Sequence, residues 1–389
     1  MKYHSTTSLN KAGLYRKGKN MDIMEILEIN KIEVQVVDTL AGGALFELNK
    51  SITEINLEFH RVGAASTLTV KFVNEFGASI PFNDGSAISV MANGKIIFKG
   101  IIFTTTRNQW GECTIMAYDA LRYLKNQVFV FLAENSSMDD IVKDAIKDAG
   151  CKVGNIIPFD YKYKPVSIHY DKTAFDLIQF CMNRAVIYGK IKKTFCMYHN
   201  YLTDCIDIQY CDTMQLPVVI GQKSFLTGYQ IRSTIDEETY TDVSIMIDST
   251  LSSEDGKNGV KKPLRAVNAP RMATWGTLRL IHDVPEAGFK QIMEQKGASN
   301  VSVAEAELQE LAQNMLAFYD RPTYVLTFDA LGVIGVRAGN MIRVDIPSAG
   351  IGLNDGGKWD NNGVVESVRH KFKESSHTMS IEMKLGVIG

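Results

Sequence analysis

The stretch Ile88-Ser-Val-Met-Ala92-Asn93-Gly94-Lys95-Ile-Ile-Phe98 decides the fold class. Two apolar-rich segments, Ile88–Ala92 and Lys95–Phe98, are separated only by Asn93-Gly94. A two-residue hairpin turn needs positive φ at both central positions, and Asn-Gly meets that need at little steric cost. The stretch therefore predicts a tight antiparallel hairpin. Upstream, Leu68, Val70 and Phe72 alternate with Thr67, Thr69 and Lys71, the period of two of a half-buried strand. Downstream, Cys113–Tyr118 predicts a further strand. The N-terminal third reads as strands throughout.

The character changes after Leu124. Ser137-x-x-Asp140 resembles a capping box with a shorter acid, and Met138, Ile141, Val142, Ala145, Ile146 and Ala149 follow at helical spacing before Gly150. Thr173-x-x-Asp176 repeats the capping logic, with Phe175, Ile178, Cys181, Met182 and Ala185 along one face. Residues 125–225 thus read as a mixed α+β section. Strands return from Phe225, with Val243, Ile245 and Ile247 alternating with Ser244 and Met246. A long polar loop is expected over Asp248–Met272, carrying Lys257, Lys261, Lys262, Arg265 and Arg271. It has two readings, a solvated connection or a segment ordered by a partner. Ser302-x-x-Glu305 opens the strongest helix, whose stripe is Leu308, Leu311, Ala312, Met315, Leu316 and Tyr319 and which Pro322 ends. Strands at Tyr324–Asp329, Asn340–Ile346, Gly363–Phe372 and Met379–Leu385 close the chain, with a hairpin loop at Lys373–His377 and an exposed connection at Ala349–Gly363.

Composition sets bounds on this picture. The chain has 389 residues, 45% hydrophobic and 22% charged, enough for two or three domains with real cores. A net charge of −2 gives no general attraction to nucleic acid or to anionic membrane. Residues 1–32 read as a basic leader (Lys2, Lys11, Arg16, Lys17, Lys19) without the apolar stretch of a signal peptide. No window approaches the roughly 18 apolar residues of a membrane span. The chain is expected in the cytoplasm unless it leaves as part of a larger particle.

The side chains that carry chemistry form no recognisable constellation. Six cysteines (Cys113, Cys151, Cys181, Cys196, Cys205, Cys211) include no C-x-x-C pair. The last four cluster around His199, but their spacing matches no usual zinc pattern, so they read as reduced core thiols. There is no G-x-S-x-G, H-E-x-x-H or G-x-x-x-x-G-K-[ST]. Gly332, Gly335 and Gly339 fall between strands and so form no dinucleotide fingerprint. The pairs Asp139/Asp140 and Glu237/Glu238 are sequence neighbours whose side chains point apart. His370 and His377, with Glu374 between them, could approach across a turn and hold a metal, yet three such residues in a polar turn arise easily by chance. No catalytic residue, cofactor or metal ligand is therefore expected. Two carboxylates distant in sequence would leave no linear trace, so a peptidoglycan hydrolase is the alternative reading. A carbohydrate- or receptor-binding module, using the scattered Trp110, Trp275 and Trp359, is the second alternative.

Two groups of motifs look familiar. One is Gly94-Lys-Ile-Ile-Phe98-Lys-Gly100 followed by Ala117-Tyr118-Asp119-Ala-Leu121. The other is Ala330-Leu331-Gly332, Arg337-Ala-Gly339, Val365-Glu-Ser-Val368-Arg-His370-Lys-Phe372 and the closing strand. Together with Asp236-Glu-Glu-Thr239-Tyr240 and Trp275-Gly276, they resemble the XkdQ/YqbQ-like baseplate hub proteins of contractile phage tails and phage-tail-like bacteriocins, proteins similar in role to late-control protein D and to the type VI spike base. The resemblance runs from about Glu33 to the C-terminus and departs at the leader and at the polar loop. It implies a mainly β chain with α+β insertions: a first barrel-like tube domain at 33–124, a mixed α/β middle domain at 125–225 and a second barrel-like tube domain at 226–389. It further implies a homotrimer joining a hexameric tail tube to a central spike, with tape-measure and LysM-type baseplate proteins as neighbours, and a purely structural role. Phe98, Tyr118 and Phe372 are expected as core residues, Gly100 and Gly339 as bends, and Asp119 as a residue ordering the exit from the last strand of the first domain. Gly276, Gly332, Arg337 and His370 complete the structural signposts.

Overall fold

The computed structural model describes residues 31–38, 42–49, 51–74, 79–128, 137–158, 173–188, 193–247, 263–284, 301–351, 362–373 and 376–385. Most of the basic leader, together with Lys257, Lys261, Lys262, Trp359 and Glu374, lies outside these residues.

The described residues begin with seven strands: β1 (Ile32–Asp38), β2 (Ala44–Glu47), β3 (Ile52–His60), β4 (Thr67–Val73), β5 (Ala87–Ala92), β6 (Lys95–Arg107) and β7 (Glu112–Tyr118). Then come α1 (Met138–Asp148), β8 (Val153–Ile156) and α2 (Ala174–Tyr188). Strands β9 (Phe195–Asn200), β10 (Cys205–Tyr210), β11 (Gln215–Gly221), β12 (Leu226–Thr234), β13 (Asp242–Ile247) and β14 (Leu264–Val267) follow. After α3 (Ala269–Trp275), β15 (Arg279–Val284) and α4 (Val301–Tyr319), the chain ends with β16 (Thr323–Leu331), β17 (Met341–Asp345), β18 (Asn362–Lys373) and β19 (Ser376–Leu385). The mainly β class read from the sequence is the class observed.

These elements divide into two compact units, one from 1–122, 193–231 and 325–389, the other from 123–192 and 232–324. The first unit is built on one large sheet in the order β12-β16-β19-β18-β3-β4-β7-β6-β5-β1-β2, with β17 on β18 and β11 on β17. The opening hairpin forms as its sequence requires. Asn93 and Gly94 both take positive φ, 49° and 74°, and Ala92 pairs with Lys95. Alternation holds too: Leu68, Val70 and Phe72 are buried while Lys71 and Val73 face out.

The barrel-like expectation needs correction, because among the described residues this sheet is an open path and not a closed barrel. The reason lies in β18. Its C-terminal half pairs with β3, Leu57 opposite His370 and Ile55 opposite Phe372, so the two strand-rich ends of the chain share one sheet. With β18 joined to β3 on one edge and β19 on the other, the two sections run on as one sheet whose path ends at β12 and β2. The N-terminal end of β18 pairs instead with β17, Met341 opposite Val364. The change of partner falls at a bulge, where Glu366 is extra between the Val365–Met383 and Ser367–Glu382 pairs.

In the second unit, Ser137 caps α1 by accepting from the Asp140 N–H at 3.2 Å, and Thr173 and Asp176 cap α2 reciprocally. Helix α1 ends in a Schellman arrangement around Gly150: Cys151 N–H donates to Ile146 O and Gly150 N–H to Lys147 O. The predicted stripe of α4 is buried at Leu308, Leu311, Ala312 and Met315, packed on Val243, Ile245, Ala266 and Val284 of the β14-β13-β15 sheet. The helix starts at Val301, so Ser302 lies inside its first turn and is not its cap.

One loop expectation fails at its described end, 248–262 lying outside the described residues, and the expected C-terminal hairpin forms. The end of the expected 248–272 loop is β14 and the start of α3, which is capped by the Asn268 side chain accepting from Arg271 N–H, with Pro270 in the first turn. Arg265 there is not a loop charge. It grips the fully buried Asp242 together with Arg279, through bonds of 2.6–2.7 Å. The hairpin at Lys373–His377 is tighter than expected, since pairing continues to Lys373 opposite Ser376.

Candidate functional site

The signposts of the first unit collect around a seam of buried polar groups beside the large sheet. Asp119 follows β7 and is 1% exposed. Its Oδ1 accepts from the N–H groups of Ser66 and Leu121 at 3.2 and 3.1 Å, which fixes the exit from β7 into the 3-10 turn Ala120–Lys125. Its Oδ2 accepts from the Tyr201 hydroxyl at 3.5 Å. Burial pushes its carboxyl up to about 6, against the downward pull of the Ser66 hydrogen bonds and the Arg337 charge.

Tyr201 stands in the turn between β9 and β10, tilted on Phe98 at 5.8 Å and edge-on to His199 at 5.0 Å. His199 is buried; its Nδ1 accepts from Ala120 N–H, and burial lowers its basicity. Asp204, in the same turn, takes the Lys99 ammonium at 2.8 Å. One hairpin thus reaches β6 and the turn that follows β7.

Arg337 comes from the loop between β16 and β17. Its guanidinium lies 4.4 Å from the Tyr198 ring, 5.5 Å from Phe59 and 5.8 Å from Tyr201. The loop is held to the β18 bulge by Gly339 N–H to Val365 O and Val365 N–H to Asn340 O. At the same bulge Arg61 donates through Nε to Glu366 at 2.9 Å and through Nη1 to Phe195 O at 2.7 Å.

His370 and His377 do come together, across the β18–β19 pair. His370 Nε2–H donates to Val336 O at 2.7 Å, so its Nδ1 must accept from His377 Nε2–H at 3.0 Å. This leaves His377 Nδ1 buried without a partner. Burial lowers His370 to about 4; burial and then the neighbouring imidazole lower His377 to about 3. Among the described residues no group of three or more His, Cys, Asp or Glu is arranged to hold a metal.

The other signposts are structural in different ways. Phe98 and Phe372 are buried, whereas Tyr118 is half-buried with its ring edge-on to Phe103 at 5.3 Å. A Cβ on Gly100 would strike the Tyr118 carbonyl oxygen, and one on Gly332 would strike the His377 ring. Gly276, in the second unit, ends α3 and accepts through its carbonyl from the Thr241 hydroxyl at 3.0 Å. Cys196 and Cys211 share a small apolar cluster with Met341 and Val364, and burial pushes the Cys196 thiol up to about 11, too weakly acidic for a nucleophile. Arg61, Ser66, Tyr198, Tyr201 and Glu366 were not singled out from sequence. Only the fold brings them together, and no linear spacing marks them.

The arrangement offers no nucleophile beside a base. Several of its hydrogen bonds tie segments distant in sequence, up to the 305 residues between Arg61 and Glu366. The YQBQ-like family model matches residues 55–384. YqbQ of Bacillus subtilis (strain 168) is 22% identical over 337 residues, covering 85% of this chain and 92% of its own length. The phage-like element PBSX protein XkdQ of the same organism is 21% identical over 332 residues, covering 85% and 91%. In fold, the chain is similar to the tail protein from Neisseria meningitidis MC58, at a TM-score of 0.62 and 13% identity over 92% of this chain and 97% of that one. With a family model spanning most of its length, from β3 to the last residues of β19, the chain belongs to the YQBQ-like family.

Proposed function

We propose that the chain is a structural component of a phage tail or phage-tail-like particle, and within it the baseplate hub. In this reading three copies form a ring that joins the hexameric tail tube to the central spike, with tape-measure and LysM-type baseplate proteins as neighbours. The strand-rich sections 33–124 and 226–389 supply the ring-forming surfaces, and 125–225 is a mixed section between them. The chain performs no bond chemistry. It is made in the bacterial cytoplasm and works in the particle.

The observation that carries the reading is family membership together with the tail-protein fold. XkdQ, a relative over nearly its whole length, is a protein of a phage-like element. The seam supports a load-bearing role. Asp119, Arg61 and His370 each form internal hydrogen bonds, and those of Asp119 and Arg61 tie segments distant in sequence, the use expected where stiffness is wanted.

Light scattering coupled to chromatography, with and without purified tail tube and spike proteins, tests this. Three chains per particle, alone or on mixing, is the expected result. A protein that stays monomeric with both partners present refutes the ring. Cell-wall zymography that shows clearing abolished by one carboxylate substitution replaces the structural reading with the hydrolase.

A further inference from the structure

A cleft of about 140 Å³ opens beside the seam in the first unit, between β3, β6 and the 332–340 loop. Its walls are mainly apolar, including Leu57, Phe59, Ile97 and Phe372. Its volume is close to that of a cavity able to hold one benzene-sized group. One full charge lines it, on Arg337. The Arg337 Nε is buried without a hydrogen-bond partner, and among the described residues its guanidinium makes no ion pair, only ring contacts. Asp119 is not in ion-pair contact with it: its oxygens accept from Ser66, Leu121 and Tyr201, and the Arg337 charge acts on it only through space. Of the other titratable lining groups, His370 is committed to Val336 and His377, and the Tyr201 hydroxyl to Asp119.

An unpaired, partly buried guanidinium is costly, and a planar carboxylate matches its fork of donors. A free amino acid would also bring an ammonium group, and no carboxylate lines the cleft to receive it. We infer that this cleft captures the C-terminal residue of a partner chain, its carboxylate on Arg337 and its single large apolar side chain in the pocket. The amide that precedes such a residue carries no charge and passes out through the open side.

The test uses the full-length wild-type chain and two probes that differ only in charge, N-acetyl-L-phenylalanine and N-acetyl-L-phenylalaninamide, titrated by calorimetry. The acid is expected to bind at least about tenfold more tightly than the amide, the gain of one charge-assisted hydrogen bond in a partly desolvated site. Arg337→Met, which keeps the apolar stem, should erase that difference; if this variant does not fold, the wild-type pair still decides. Equal affinity for acid and amide, or no binding of the acid at millimolar concentration, overturns the inference. Phenylacetate binding more tightly than N-acetyl-L-phenylalanine overturns the chain-terminus source in favour of a free small acid. The outcome is independent of the trimer test, because it reads the isolated chain.

Discussion

Replacing Arg61 by Met should be among the most damaging single changes in the first unit. Arg61 and Glu366 form an ion pair at 2.9 Å with side-chain exposures of only 15% and 14%, and Arg61 also bonds Phe195 O. Removing one member of a buried pair leaves the other charged and desolvated, which costs about 3–5 kcal/mol. The abandoned Glu366 has no local substitute, since its Oε1 is already buried without a partner. Arg61→Met/Glu366→Met removes both charges and replaces them with packing atoms, so it should cost less than Arg61→Met alone. That predicts a favourable coupling of about 2 kcal/mol or more in a double-mutant cycle. The chain has two units, so global unfolding need not be two-state. The suitable assay is urea titration with hydrogen exchange read on peptides from β9 and β18. If Arg61→Met lies within about 1 kcal/mol of wild type, or the double variant loses the sum of the singles, the pair is not the tie at the bulge that its geometry describes.

Gly339→Ala should lose about 1–3 kcal/mol. The residue sits at φ 89°, and its new Cβ would strike both Sγ and Cβ of Cys196; adding Cys196→Ala should recover only the Sγ share of the clash, leaving the Cβ overlap and the backbone part, by denaturation midpoint. His370 and His377 are held neutral, with folded values about 4 and about 3, below the unfolded value of about 6.5. Their contribution is complete above pH 6.5 and is lost as pH falls toward 4, so stability should decline over that window and His377→Phe should flatten the decline. Asp119 has the opposite sign. Its folded value of about 6 lies above the unfolded value of about 3.9, so its ionisation costs stability as pH rises from 4 to 6. Asp119→Asn should raise the midpoint at pH 7 and remove that slope, and an unchanged slope would place the titrating group elsewhere.

What could be read from the residues alone was local. Asn93-Gly94 dictated its hairpin because positive φ at two successive residues is a property of those residues. Ser137 and Thr173 dictated helix starts because a cap and its partner lie three residues apart. The α4 stripe and the β4 alternation followed from period, whereas in β13 Ser244 is buried along with Val243 and Ile245 and the expected alternation is lost. The expected 248–272 loop failed at its end for the complementary reason. Arg265 reads as a solvated charge until Asp242, 23 residues away, is seen beneath it.

The tertiary structure alone decided the rest. No spacing predicts that β18 would serve both ends of the chain, that its bulge at Glu366 would receive Arg61, or that Arg337 would settle among three rings. Some of these pairings join segments 305 or more residues apart, and their strength comes from the low-dielectric surroundings that exist only once the chain has closed over them. The strand-rich ends were therefore legible in the sequence, while their fusion into one open sheet, with a polar seam and an unpaired arginine beside it, was not.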